Sequence, residues 1–292
     1  MDLGRVGSWC GQFRSQDTGE AREAARELES LGFGALWIPG GAGGDIFGDV
    51  SRVLGATTAL PVVTGILNIW MHDAAEVASE HARLGAAYPE RFLLGLGVSH
   101  APLVEARGDR RYERPRTAMV DYLDALDAAS PPVRPEDRVL AALGPKMLEL
   151  ARDRSAGAHP YLTTPRHTSE ARATLGAGPL LAPEQMVVLD ADLSSARAVA
   201  RKALARYLVL PNYTNNLKRL GFGDADLADG GSDRLVDGIV ACGDIAAIAV
   251  RVKEHLDAGA DHVCLQVLTD TPGAYPIAQW RELTAIIAGL NP

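Results

Sequence analysis

The stretch RFLLGLGVSH, residues 91 to 100, sets Gly95 and Gly97 inside an apolar run and ends it on Ser99 and His100. A hydroxyl beside an imidazole offers hydrogen bonds to a phosphate or a polar chain, and a group that can give or take a proton near neutral pH. The glycine pair also suggests the pyrophosphate loop of a dinucleotide-binding fold. That loop needs G-x-G-x-x-G, its third glycine opening a helix. Here His100 stands in the third glycine's place, and APLVEARGDRR does not read as an immediate amphipathic helix. The glycines are better explained as positions in a strand where absent side chains allow tight packing and the approach of a flat ring.

Two other stretches invite an anion. In ALGPKMLEL, Pro145 suits the first helical position, Gly144 lets a ligand approach the backbone, and the amides of Lys146 and Met147 are expected to be free. Gly-Pro also begins helices that bind nothing. EARGDRRYERPR carries Arg107, Arg110, Arg111, Arg114 and Arg116 against Glu105, Asp109 and Glu113. It is either a docking site for a polyanionic tail or a solvated loop whose ion pairs contribute little.

Among the histidines, His72 follows an apolar run and is a second catalytic candidate. His159 is expected at the rim of a strand facing a pocket, with His167 in the loop beyond it; His81, His255 and His262 read as packed structural residues. No two histidines have metal-ligand spacing, and no G-x-S-x-G or Cys–His nucleophile signature is present. Three scattered cysteines, Cys10, Cys242 and Cys264, fit a reduced, cytoplasmic chain. A net charge of -8 gives no reason to expect nucleic acid or a membrane surface as partner. No apolar run reaches the roughly 18 residues of a membrane span, and the N-terminus does not read as a signal peptide.

The elements that must position these residues follow a repeated cadence. LGRVGSWC, GALWIP, PVVTGILNIW, RFLLGLGV, DRVLAAL, AHPYLTT, PEQMVVLD and ADHVCLQVL read as eight apolar strands rich in Val, Leu and Ile, as parallel strands covered by helices are. Amphipathic helices with aspartate caps at Asp17 and Asp73 separate the early ones. Eight such units predict an α/β fold, a single (β/α)8 TIM barrel over residues 1–292, with a helical insertion at about 191–243 between strands seven and eight. Within that insertion, DADLADGGSD is expected to be a mobile loop.

VTGILNIWMHDAAEVASEHARLGAAYPERFLLGLGVSHAP, together with RVLAALGPKMLELARDRSAGAH and GDIAAIAVRVKEHLDAGADHVCLQV, resembles the bacterial luciferase-like flavin and deazaflavin superfamily, and especially its coenzyme F420-dependent oxidoreductase branch. The resemblance spans nearly the whole chain. It implies a homodimeric barrel enzyme that moves a hydride between reduced F420 and a small organic substrate. The alternatives are an FMN-dependent monooxygenase and a flavin-binding barrel without turnover.

By position, the resemblance places a non-prolyl cis peptide at Gly65 and Ile66, with Leu67 beside it, backing the cofactor ring, and Asn68 on the ring's polar edge. Gly97, Val98 and Ser99 then run along the cofactor chain, while Gly144, Pro145, Lys146 and His159 complete the cofactor site and His100 or His72 serves substrate. The arginine-rich loop is the expected place for the γ-glutamyl tail of F420. One departure is plain: where several F420 enzymes of the family end strand two on an acid, this chain reads IPGGAGGD, with Asp45 the nearest carboxylate.

Overall fold

The first three strand-to-helix units each carry an aspartate helix cap. The Asp17, Asp45 and Asp73 side chains accept hydrogen bonds from the amides of Gly19, Gly48 and Ala75, satisfying donors that a helix start leaves unpaired. The computed structural model of the chain describes residues 1–14, 17–41, 44–106 and 111–290. Its first half alternates strictly: β1 (Val6–Trp9), α1 (Thr18–Ser30), β2 (Leu36–Gly40), α2 (Ile46–Ala56), β3 (Val62–Asn68), α3 (Ala74–Ala87) and β4 (Phe92–Gly97). Then come α4 (Ala101–Glu105), α5 (Pro115–Ala128), β5 (Arg138–Leu140), α6 (Pro145–Arg154), β6 (Gly157–Ala158), α7 (Pro165–Leu175), β7 (Leu180–Leu181) and β8 (Glu184–Leu189). A helical stretch follows, with α8 (Leu193–Leu204), α9 (Pro211–Arg219), α10 (Asp224–Leu227) and α11 (Asp233–Ile239), before β9 (Val240–Gly243), α12 (Ile245–Asp257), β10 (Val263–Val267) and α13 (Ile277–Leu290).

The ten strands are parallel, in the order β7-β6-β5-β4-β3-β2-β1-β10-β8-β9. Only Ala182 and Pro183 separate β7 from β8. On one side the amides of Ala182 and Glu184 donate to the carbonyls of Ala158 and Pro160; on the other, Cys264 donates to the Pro183 carbonyl. The segment 180–189 therefore joins the two arms of the ladder, and the sheet curls on itself in a TIM-barrel-like arrangement. Trp37, Val63, Leu93, Val139, Ala182 and Cys264 fill one core cluster, and a larger one lies between the strands and the helices.

Several expectations change. The sixth strand is only two residues long, the seventh is preceded by the separate piece β7, and VACG forms the unexpected β9 beside β8. PRHTSEARATL is a helix, so His167 is a buried residue of α7 and not part of a loop. Its inner face is His167, Thr168, Ala171 and Leu175, a stripe that is half polar and so invisible to a search for apolar periodicity. A short helix, α4, does follow His100, although its five residues are too few for an amphipathic stripe. DADLADGGSD contains α10 and is tied together at Asp226, which accepts from the Gly223 amide, the Ser232 hydroxyl and Arg234. Among the described residues no helix is long and apolar enough to cross a membrane.

Candidate active site

The site starts from a fault in the sheet. β3 slips register against β4 between Val63 and Leu67, and the cis peptide Gly65–Ile66 lies within the slip. The Thr64 hydroxyl bridges the fault, donating to the Gly95 carbonyl (2.8 Å) and accepting from the Gly95 amide (2.7 Å). A Cβ on Gly95 would sit 1.8 Å from the Thr64 carbonyl oxygen, and one on Gly97 would sit 2.5 Å from the Ile66 side chain. Both glycines are thus clearance for the fault. The Trp9 indole donates to the Gly65 carbonyl (2.9 Å) and holds the irregular backbone from above.

Gly65 and Ile66 face a cavity of about 1550 Å³. Leu67 and Asn68 do not. Leu67 packs into the core between strands and helices, and the Asn68 carboxamide oxygen is spent on the Trp70 amide (3.0 Å), so the expected contact of Asn68 with a ring edge is not formed on this wall. His72 is also corrected. After Asn68 the chain turns, with the Met71 amide donating to the Asn68 carbonyl, and carries His72 off the cavity wall to an edge-on contact with Phe47.

The end of β4 does line the cavity through Gly97, Val98, Ser99 and His100. Ser99 takes a left-handed conformation (φ +57°), and its carbonyl accepts from Tyr112 (3.2 Å) and Asn212 (3.1 Å). His100 packs on Tyr213 with ring centroids 4.5 Å apart, and its buried Nδ1 has no hydrogen-bond partner among the described residues. Burial lowers the His100 pKa to about 4, so the ring is a neutral imidazole at pH 7. A neutral imidazole still donates one N–H bond, which suits it to an oxygen that gains charge.

Gly144, Pro145 and Lys146 line the same cavity at the start of α6. The Met147 amide is not free as expected, because it turns back to the Gly144 carbonyl (3.1 Å). What marks this end is charge. Arg116, Lys146, Lys202, Arg206 and Arg219 all line the cavity, Asp270 is the acid among its lining residues, and none of these cations forms an ion pair among the described residues. Arg219 is held by the Leu143 carbonyl and Asn216, and the Arg206 guanidinium lies 4.8 Å over the Tyr207 ring. The arginine loop contributes less than expected. Arg107 and Arg110 lie outside the described residues, Arg111 sits 3.8 Å from exposed Glu113, Arg114 precedes α5, and of the rest Arg116 reaches the wall.

An aromatic cluster also lines the cavity. Tyr161 lies 5.6 Å from Trp9, 5.4 Å from Tyr207 and 5.9 Å from Tyr213 between ring centroids. Its hydroxyl bonds Tyr207 (2.6 Å) and Gln266 (2.6 Å). Next to Tyr161, on β8, buried Glu184 accepts from the Leu162 amide, and burial raises its carboxyl to about 8. The cavity floor includes His159, which stacks on Trp37 (4.2 Å, 17° between planes) and bonds the Ala182 carbonyl through Nδ1 (2.7 Å).

β2 brings Pro39 and Gly41 to the cavity, while Asp45 is occupied as the cap of α2. Trp9 walls the cavity, Trp37 is fully buried beneath it, and Trp70 donates to the Val98 carbonyl off the wall. His255, bonded to Thr168 and Gln185, and His262, bonded to Trp37 and Gly4, are structural as expected. The tyrosines and the cations of α8 and α9 were not expected. A signal exists: Val199, Lys202, Ala203 and Arg206 recur at helical spacing in the sequence, the first three within α8 and Arg206 in the turn after it, and a stripe that mixes cations with apolar residues is unusual for either a core or a solvent face. Among the described residues no cluster of three or more His, Cys, Asp or Glu could hold a metal ion.

Comparison with known proteins bears on this arrangement. A family model described as luciferase-like monooxygenase matches residues 3–262. A 5,10-methylenetetrahydromethanopterin reductase of Methanolobus tindarius is 24% identical over 286 residues, covering 82% of this chain and 87% of the relative. An F420-dependent secondary alcohol dehydrogenase, solved in complex with an F420-acetone adduct, superposes with a TM-score of 0.78 at 14% identity, covering 99% of each chain. The oxygenating constituent of 3,6-diketocamphane monooxygenase from Pseudomonas putida, solved with FMN, gives 0.70 at 14% identity, covering 100% of this chain and 98% of that one.

Proposed function

This chain belongs to the luciferase-like monooxygenase family and is an enzyme, and from that premise we propose that it is an F420-dependent oxidoreductase, transferring a hydride between reduced deazaflavin and a small organic substrate. The observation that carries the reading is the charge of the cavity. In a chain of net charge -8, the cavity that Gly65 and Ile66 face is lined by five cations with no ion-pair partner among the described residues. Unpaired cations at the edge of an apolar cavity suit a ligand that is flat at one end and carries several negative charges at the other. F420, with its phosphate and γ-glutamyl carboxylates, has that shape, and a volume of about 1550 Å³ leaves space for substrate beside it.

The residues divide the work. Gly65 and Ile66 would back the ring, with Gly97, Val98 and Ser99 along the chain that leaves it. Lys146, Lys202, Arg206 and Arg219 would meet the anions, and Arg116 the end of the tail. When bound, the cofactor supplies the hydride. The barrel's own residues orient substrate and keep water out, and neutral His100 donates a hydrogen bond to the substrate oxygen that gains charge. We take residues 1–292 as one barrel domain with 191–243 as its insertion, acting as a cytoplasmic homodimer.

FMN is the second reading, favoured by the FMN-bound monooxygenase of similar fold. Titrating the purified protein with F420 and with FMN, read by tryptophan quenching, separates the two. F420 is expected to bind about tenfold tighter, the worth of one or two added charge-assisted hydrogen bonds. Tighter FMN binding would reject the proposal. With F420 bound, turnover should appear on a panel of ketones, enones and imines, and His100→Ala should lose turnover while keeping cofactor affinity.

A further inference from the structure

His159 is 2% exposed, yet it lines the cavity. Its Nδ1 lies 2.7 Å from the Ala182 carbonyl, and a carbonyl oxygen only accepts, so Nδ1 carries the hydrogen. The tautomer is therefore settled and Nε2 is a bare lone pair. That atom is buried and has no hydrogen-bond partner among the described residues. A buried acceptor left without a donor is uncommon in a folded protein and calls for a partner. The ring cannot swing away to find one, because it stacks on Trp37, which is fully buried and held in turn by its N–H bond to His262 (3.0 Å). Burial also lowers the His159 pKa to about 4, which keeps the lone pair free at neutral pH.

The position of this acceptor relates it to the bulge. A Cβ on Gly65 would come 3.4 Å from Trp37 Cβ, so Trp37, on whose ring His159 stacks, is a neighbour of Gly65. Gly65, Ile66 and His159 line the same cavity, so a flat ring lying along Gly65 and Ile66 would share it with the His159 ring.

Resting on the cofactor reading above, we propose that His159 Nε2 accepts a hydrogen bond from the inner edge of the bound ring, and that this site selects ring systems bearing an N–H or O–H donor at that edge. Two donors share this chemistry: the imide N–H common to deazaflavin and flavin, and the phenolic hydroxyl that the F420 ring carries and FMN replaces with a methyl group. If the hydroxyl is the donor, His159 is also what makes the site prefer F420, because FMN would bring an apolar group to the lone pair.

The test is equilibrium binding of four probes to the whole protein: 8-hydroxy-5-deazariboflavin, the same compound without its hydroxyl, FMN, and N3-methyl FMN. Removing the donor that reaches His159 should weaken binding to the wild type about tenfold, and which pair shows the loss identifies the edge. The loss should vanish in His159→Leu and persist in part in His159→Gln, which keeps an acceptor. In 15N-histidine NMR of the wild type, the His159 Nε2 resonance should shift on binding the donor-bearing probe and not its partner. If neither pair differs, or the difference survives in His159→Leu, the proposal fails while the cofactor reading stands. If neither F420 nor FMN binds at all, both fall. Should the variants not fold, as circular dichroism would reveal, the wild-type probe pairs and the NMR shift decide the matter alone.

Discussion

The cavity has two unlike walls. The sheet wall, from β3 and β4, offers backbone and glycine: Gly65, Gly97 and the bulge between them, with clearances of a few ångströms or less and no charge. The helical wall, from α8 and α9 and the turn between them, offers long side chains: Lys202, Arg206, Tyr207, Tyr213 and Arg219. One wall recognises shape by steric exclusion and the other recognises charge and π-faces. Their tolerance to change should differ accordingly. An atom added to the first must move main chain, whereas a change in the second removes one of several parallel contacts.

The severest test of that contrast is Gly95→Ala. Its new methyl meets the Thr64 carbonyl at 1.8 Å, a backbone atom that cannot rotate aside. Stability should fall by about 3 kcal/mol or more, the upper end of overpacking, seen as a lower urea midpoint. A Gly95→Ala protein as stable as wild type would show that the β3–β4 fault is soft.

Acid comes next. His159, His255 and His262 sit in the interior on the sheet side, and burial depresses them from 6.5 to about 4, about 3 and about 4. A histidine with a lowered folded pKa takes up its proton more readily when unfolded. Its stabilising effect is therefore complete above pH 6.5 and is lost as pH falls toward 4, by up to about 1.4 kcal/mol per pH unit for each. Glu184 acts with the opposite sign, its raised pKa favouring the fold below pH 4.5 and less so as pH rises toward 8. The helical face carries ion pairs such as Arg197–Asp237, more exposed, which should change stability little. Unfolding midpoints measured from pH 7 to 5 should thus fall steeply. A flat profile would mean that these rings are charged in the fold.

The gentlest change is on the helical wall. Lys202→Ala and Arg219→Ala should each weaken F420 binding about tenfold, leave the unfolding midpoint nearly unchanged, and lose their effect in high salt. A loss that salt does not alter would mean these side chains hold the wall and not the ligand.

How much was legible follows the same division. Gly95, Gly97 and the alternating apolar strands announce their roles because packing in a parallel sheet is a local constraint with period and composition. His255 and His262 could be read as structural from their places in a helix and a strand start. Asn68 and His72 could not be placed from sequence: the turn after β3 decides which of two successive polar residues faces the cavity, and it spends Asn68 on the Trp70 amide. The cations were expected at Lys146 and in the arginine loop, where they are dense in sequence; Lys146 does line the cavity, while most of the remaining charge comes from α8, α9 and the turn between them, where it is spaced along the chain.

The sequence by itself determined the strand-and-helix rhythm, the helix caps at Asp17 and Asp73, and the rim at Ser99 and His100, because these depend on residues a few positions apart. Only the tertiary structure decided that segment 180–189 joins the two arms of the sheet, that Tyr161 meets Trp9 and Tyr213 meets His100 with Tyr207 packed against both tyrosines, and that His159 has one nitrogen engaged and, among the described residues, one bare. Those facts arise from contacts between residues tens to hundreds of positions apart. No local pattern encodes such contacts, since they are set by how the curled sheet brings its strand ends together.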